Sequence, residues 1–321
     1  MRGEREMQEK MWAYLIHLGD NMWRDAPCEN SIAPYCEELS VNEKVWRKTI
    51  DFLPTQGINT VLIDIGDAIQ YERHPELAVN GSWSKDKLKR ELDYIRSLGM
   101  TPLPKLNFSA CHDAWLKEYS RMLSTTPYYQ VCKDVIEEVA EVFGNPKYFH
   151  LGLDEETAAM QKNLQYVCIR QKDLWWHDAY YLFNVCEKLG TRPWVWADAC
   201  WHRPDEYLKK MPKSVLQSNW WYNRIGDKNK DGVYPKIEYD TYRLLEEHGF
   251  DQVPTSSTFE GFQFSSDRTM KLGKKVIAPE HLKGYMTAPW RITNTRERYA
   301  LINDAYQFGI AKKDVYPEEC K

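Results

Sequence analysis

The feature that most constrains this chain is an alternation running from end to end. Eight short apolar or β-branched runs are separated by longer stretches, most of them with helical periodicity. The strand-like runs fall at 12–18, 59–65, 101–108, 148–153, 192–197, 214–220, 252–257 and 284–288. Helical patterns occupy 42–56, 84–98, 128–143, 173–189, 237–248, 266–272 and 293–308. Gly57, Gly99, Gly190 and Gly249 stand where four of these helices should stop, at the position that favours a left-handed residue. Ser84 is placed to cap a helix start with its hydroxyl. A strand followed by a helix returns parallel to its predecessor, and eight such units close on themselves. The expected fold is therefore α/β, a single (β/α)8 barrel over residues 1–321. An open doubly wound sheet would carry a glycine-rich phosphate loop after its first strand. The sequence has no Gly-x-Gly-x-x-Gly and no Walker-type loop.

Composition narrows the partners. Lysine and arginine number 43 against 47 acids, interspersed to a net charge of -4, which argues against a nucleic-acid partner. No apolar run approaches the roughly 20 residues of a membrane span. Residues 1–10 are charged and lack the apolar segment of a secretory signal, so a cytoplasmic location is expected unless a signal has been removed. The eight cysteines include no Cys-x-x-Cys pair, so neither structural zinc nor any other cofactor is expected. Free thiols are the expectation, except that Cys28 and Cys36 flank a short loop containing Pro34 and are the pair a disulfide would join. Thirteen Trp and twenty Tyr are more than a core of this size needs. Some fill the interior; the rest suit stacking on the apolar faces of sugar rings.

A barrel of this kind carries its chemistry at the C-terminal ends of its strands. Those ends carry His17, Asp20 and Arg24; Asp64 and Asp67; Asn107 and His112; Asp154, Glu155 and Glu156; Trp196 and Asp198; Asn219, Trp220, Trp221 and Tyr222; Glu260; and Trp290 and Arg291. Acids beside aromatics suit a neutral polyhydroxylated substrate. The sharpest signal is Phe149-His150-Leu151-Gly152-Leu153-Asp154-Glu155-Glu156 after the fourth strand. Adjacent carboxylates repel and raise one another's pKa, so one can stay protonated as a general acid. The plainer account is an acidic helix start favoured by the helix dipole.

This segment resembles the catalytic motif of the family-20 glycoside hydrolases, the β-N-acetylhexosaminidases, which reads His-x-Gly-Gly-Asp-Glu at the same place in the barrel. His74-Pro75-Glu76-Leu77-Ala78, Gly81-Ser82-Trp83-Ser84 and Gly99-Met100 resemble that family's second-strand loop and following helix. Pro102-Leu103-Pro104-Lys105-Leu106-Asn107 with His112 is similar to its Pro-Glu-Ile-Asp-x-Pro-Gly-His segment. The agreement in order and spacing covers roughly residues 58–156. Leu153 replaces a glycine, Lys105 and Asn107 replace two acids, and His112 falls one residue late. Asp20 and Arg24 are one residue further apart than the family's Asp-x-x-Arg, whose arginine binds sugar hydroxyls. The family's usual N-terminal α+β domain has no counterpart in these 321 residues. The resemblance implies a distant relative with a substrate-assisted retaining mechanism, in which the substrate's own 2-acetamido group attacks C1. Glu155 would be the acid/base and Asp154 would orient the acetamido group. Trp196, Trp220 and Trp290 would wall the sugar, and Tyr222 would bond the acetamido oxygen. Asp20, Arg24, Asp64, Asn107, His112, His150 and Asp198 complete the expected substrate-binding set.

Three other readings stay open on the residues alone. Glu155 with Glu260 would make a two-carboxylate retaining glycosidase. A barrel keeping only the aromatic wall would bind carbohydrate without turnover. A metal-dependent hydrolase would gather His17, Asp20, Asp64, Asp67, His112 and Asp154, although no His-x-His or His-x-x-x-His spacing is present. The stretch Asp227-Lys228-Asn229-Lys230-Asp231-Gly232 looks like a calcium loop but reads better as a solvated turn.

Overall fold

A computed structural model describes residues 9–27, 35–222 and 236–320. Cys28, Pro34 and the 227–232 stretch lie outside the described residues. Eight parallel strands form one sheet: β1 (Met11–His17), β2 (Thr60–Asp64), β3 (Thr101–Lys105), β4 (Tyr148–His150), β5 (Arg192–Trp196), β6 (Leu216–Ser218), β7 (Thr255–Ser256) and β8 (Gly284–Thr287). Their order is β6-β5-β4-β3-β2-β1-β8-β7. Parallel bridges Gln217↔Gln252 and Trp220↔Thr255 join the two outer strands. Hydrogen bonds Val253 N to Gln217 O (2.8 Å) and Thr255 N to Asn219 O (3.0 Å) draw the sheet round into a barrel. The expected (β/α)8 architecture is what the chain adopts.

Around the strands lie α1 (Glu43–Phe52), α2 (Lys85–Ser97), α3 (Thr126–Val142), α4 (Asp173–Lys188), α5 (Ala199–His202), α6 (Pro204–Lys210), α7 (Lys236–Glu247), α8 (Ser265–Val276) and α9 (Arg298–Val315). Asn42, Ser84 and Thr125 cap α1, α2 and α3 with side-chain oxygens. The sequence pattern overextends α1: Pro54 tightens its tail into the 3-10 turn Leu53–Gln56. It also misses α5 and α6, which are too short to show periodicity. None of the helices among the described residues is long and apolar enough to cross a membrane.

Alternation along the strands sorts the core into two. Trp12, Tyr14 and Ile16 of β1 pack outward with the helices, whereas Ala13 and Leu15 join Leu62, Leu103, Tyr148, Trp194 and Leu216 inside the barrel. The register then aligns one row across four strands: His17 opposite Asp64, Asp64 opposite Lys105, Lys105 opposite His150. By the same two-residue period these polar side chains stand just above the apolar interior.

Candidate active site

β4 ends after three residues because the chain turns left-handed beyond it: Gly152 has φ 70° and Leu153 φ 69°. The extended run expected to 153 is cut short there. Gly152 is required, since a Cβ at that point would collide with the Asn107 amide. That amide organises the loop. Asn107 Oδ1 accepts from Ser109 N (3.0 Å) and Leu153 N (3.3 Å), and Nδ2 donates to Asp154 Oδ1 at 2.9 Å. The Ser109 hydroxyl donates to the Asp154 carbonyl and Cys111 Sγ to the Glu155 carbonyl at 2.7 Å. Glu155 is itself left-handed, at φ 55°. A non-glycine residue held there costs about 1–3 kcal/mol, a strain that persists only where the surroundings over-determine it.

The result is a compact charged group. His112 Nε2 lies 3.3 Å from Asp154 Oδ2 and 3.3 Å from Glu155 Oε2. Burial alone would lower His112, but the two carboxylates outweigh it and hold the imidazole up at about 10. Burial would likewise raise Asp154, yet His112, then Lys105 and the Asn107 amide, hold it below the usual carboxylate range. Asp154 is thus an ionised carboxylate against an imidazolium. The Glu155 side chain is 28% exposed and faces open space. Donor atoms of His112, Asp154 and Glu155 fall within 4.8 Å of one another, a spacing that would also suit a small cation. The His112 imidazolium set between the two acidic side chains accounts for the grouping. Glu156, the third acid, points elsewhere and is held by Arg170, which also reaches Asp178 at 3.3 Å and Phe108 O at 2.8 Å.

Beneath this group lies the aligned row. Lys105 and Asp64, both fully buried, form an ion pair. Burial first and the Lys105 charge second push His17 down to about 3 and lower His150 as well, so both imidazoles are neutral. Gly152 N donates to His150 Nδ1 at 3.1 Å, tying the row to the loop above.

Over the group opens a cavity of about 540 Å³. Of the residues singled out from sequence, Arg24, His112, Asp154, Glu155, Trp220, Tyr222, Glu260 and Trp290 line it. Tyr222 stacks on Trp220 at 5.1 Å between centroids, and Trp290 Nε1 donates to Tyr222 Oη at 2.9 Å. Glu260 is exposed at the rim. The other candidates lie off the wall. Asn107, Asp64 and His150 support it from below. Trp196 is buried between His150 (4.5 Å) and Trp290 (5.6 Å). Asp198 sits behind Glu155, accepting its N–H at 2.8 Å. Asp20 is buried, accepts from the Ser40 hydroxyl, and is pushed upward by burial and by Asp67. Trp23, Met160, Lys162, Asn163 and Phe259 also line the cavity and were not read from sequence. Trp23 lies edge-on to His17 (5.4 Å) and His112 (6.2 Å); its proximity to Arg24 was the available signal. The others sit in irregular loops that carry no periodic pattern. Cys111, Cys132, Cys168, Cys186, Cys200 and Cys320 are free thiols.

The sequence matches no protein-family model. It matches no curated protein. Solved structures match its fold. The GH20 β-N-acetylhexosaminidase from Streptomyces coelicolor A3(2) superposes with a TM-score of 0.64 at 13% identity, over 94% of this chain and 64% of that one. The GH20 exo-β-N-acetylglucosaminidase from Vibrio harveyi, in complex with N-acetylglucosamine, gives 0.58 at 14% identity, over 97% of this chain and 57% of that one. Dispersin B gives 0.59 at 14% identity, over 85% of this chain and 95% of that one. This chain therefore spans less than two thirds of the first two neighbours' length. What it shares with all three is the barrel fold of the GH20 enzymes.

Proposed function

We propose that this protein is a glycoside hydrolase acting on 2-acetamido sugars through a substrate-assisted retaining mechanism. The observation that carries the reading is His112 set between Asp154 and Glu155 at 3.3 Å from each, at the head of an aromatic-walled cavity. The likeness in fold to GH20 barrels supports it. Carbohydrate is the proposed partner.

Each residue then has a task. Asp154 uses one oxygen on Asn107 and the other toward His112. A carboxylate accepts at about four lone-pair sites, so it retains capacity for the acetamido N–H. Tyr222 accepts from Trp290, which leaves its own hydroxyl proton to donate to the acetamido carbonyl. That carbonyl oxygen attacks C1 as the glycosidic C1–O bond breaks. The leaving oxygen takes its proton from the Glu155 carboxyl, while the His112 imidazolium stays against Asp154. The positive ring that results lies against ionised Asp154. Glu155, now a carboxylate, deprotonates the water that reopens the ring at C1, giving net retention. Trp220 and Trp290 cover the sugar's apolar face.

The two-carboxylate alternative keeps one observation in its favour: Glu260 lines the same cavity as Glu155. Hydrolysis of aryl glycosides by wild type and Glu155→Gln separates the readings. Turnover confined to N-acetylglucosaminides or N-acetylgalactosaminides, and lost in the variant, is the expected result. Turnover of the 2-hydroxy sugars would favour Glu260 as nucleophile. Sugar binding without turnover in both proteins would mean a binding barrel.

A further inference from the structure

Asp198 has its carboxyl behind the acidic loop, on the wall of a second cavity of about 310 Å³ that shares Glu155 with the first. It stands at the start of α5, where aspartate ordinarily caps helix N–H groups, yet its side chain makes no such bond. Oδ2 accepts the peptide N–H of Glu155 at 2.8 Å instead. Oδ1 is buried with no partner among the described residues. That peptide leads into left-handed Glu155; its carbonyl, on Asp154, takes the Ser109 hydroxyl, and the following carbonyl, on Glu155, takes Cys111 Sγ.

We infer that Asp198 is a positioning residue for the acid/base: from the end of β5 it clamps the strained Glu155 peptide and so fixes the reach of the Glu155 carboxyl. The inference rests on the glycosidase reading above for its catalytic consequence, and on the hydrogen bond for its structural one. The clamp works as a neutral group. Burial first, then the charges of Asp154 and Glu155, push the Asp198 carboxyl up to about 8, so it adds no third negative charge at neutral pH. Its other neighbours leave that balance in place. Glu156 is paired with Arg170. Burial holds Cys200 and Tyr207 un-ionised. On the same cavity wall, Lys172 and His202 are exposed, and Arg203 lays its guanidinium over Trp175 at 4.5 Å.

The test compares Asp198→Ala and Asp198→Asn with wild type in kcat, KM, pH profile and hydrogen exchange at the Glu155 amide. Asp198→Ala is expected to lower kcat about 10- to 100-fold with KM little changed, because sub-ångström drift of a catalytic group is costly. It should also speed exchange of the Glu155 amide. Asp198→Asn keeps an oxygen acceptor and no charge, so it recovers most of both losses and removes the Asp198 ionisation near pH 8 from the profile. Wild-type kcat and unchanged exchange in Asp198→Ala would overturn the inference. So would equal losses in Asp198→Asn and Asp198→Ala. Wild type silent on every 2-acetamido glycoside, with exchange still faster in Asp198→Ala, would fail the glycosidase reading and leave the clamp standing.

Discussion

Lys105 shows most plainly how one residue shapes this molecule. An ammonium with no solvent exposure persists inside a barrel only because Asp64 meets it from the neighbouring strand in register. Lys105→Met leaves buried Asp64 with only the neutral His17 imidazole beside it, at 3.6 Å, and chemical denaturation should report a loss of about 3–5 kcal/mol. The double variant Lys105→Met with Asp64→Leu should recover most of that loss; a double variant as unstable as the single would show that the pair is not what matters. His17 gives a pH-dependent counterpart. Folding holds its imidazole neutral, at about 3. The unfolded chain binds a proton below about 6.5, so this group's contribution is complete above that pH and is lost as pH falls toward the folded value, at up to about 1.4 kcal/mol per pH unit. The stability gap between wild type and His17→Gln should therefore narrow as pH falls below about 6.5. A gap that stays constant would mean His17 is not buried neutral. His112 has the opposite sign. Its raised pKa places its stabilising charge below about 6.5, lost as pH rises through about 10. The stability gap between wild type and His112→Asn should accordingly narrow as pH rises toward about 10, which a pH series of denaturation curves would read.

Among the elements, the segment joining β4 to α4 is the one on which the cavity depends. It brings Met160, Lys162 and Asn163 to the wall without a helix or strand of its own. Its ends are fixed by Arg170, which binds Glu156 at one end and Asp178 of α4 at the other. Gln161 holds the middle, exchanging hydrogen bonds of 2.7 Å with the backbone of Cys168. Arg170→Met should cost about 3–5 kcal/mol, because two buried carboxylates lose their cation. KM should rise at the same time, as the wall loosens. An unchanged KM at reduced stability would separate the anchor from the site. This segment also marks where sequence reading stops. Strands β2, β3 and β5 were legible through β-branched or apolar runs bounded by glycine. α5 has four residues, too few for any period to show, and β7 keeps only Thr255–Ser256 of the run expected over 252–257. The acids after β4 were legible as chemistry. Asp198 was not legible as a support, because its partner is a backbone N–H, which every residue offers.

Across the whole molecule, the barrel aligns strand ends that lie far apart in sequence. His17, Asp64, Lys105 and His150 come from residues spread over more than a third of the chain and meet in one row. Register alone does this, which is why a count of eight strands in a strand–helix alternation was enough to foresee where the acids would gather. It was not enough to foresee which of them would face the cavity. Asp154 and Glu155 do, while Glu156, one residue on, is turned away to Arg170. The central claim is that the substrate supplies its own nucleophile to this arrangement. The most direct test is kcat/KM across a series of aryl glycosides whose 2-acetamido group carries zero to three fluorines. Each fluorine weakens the carbonyl oxygen as a nucleophile and leaves the leaving group unchanged. A steep, monotonic fall with fluorination is the predicted result. Rates indifferent to fluorination would contradict the account and point to a nucleophile supplied by the protein.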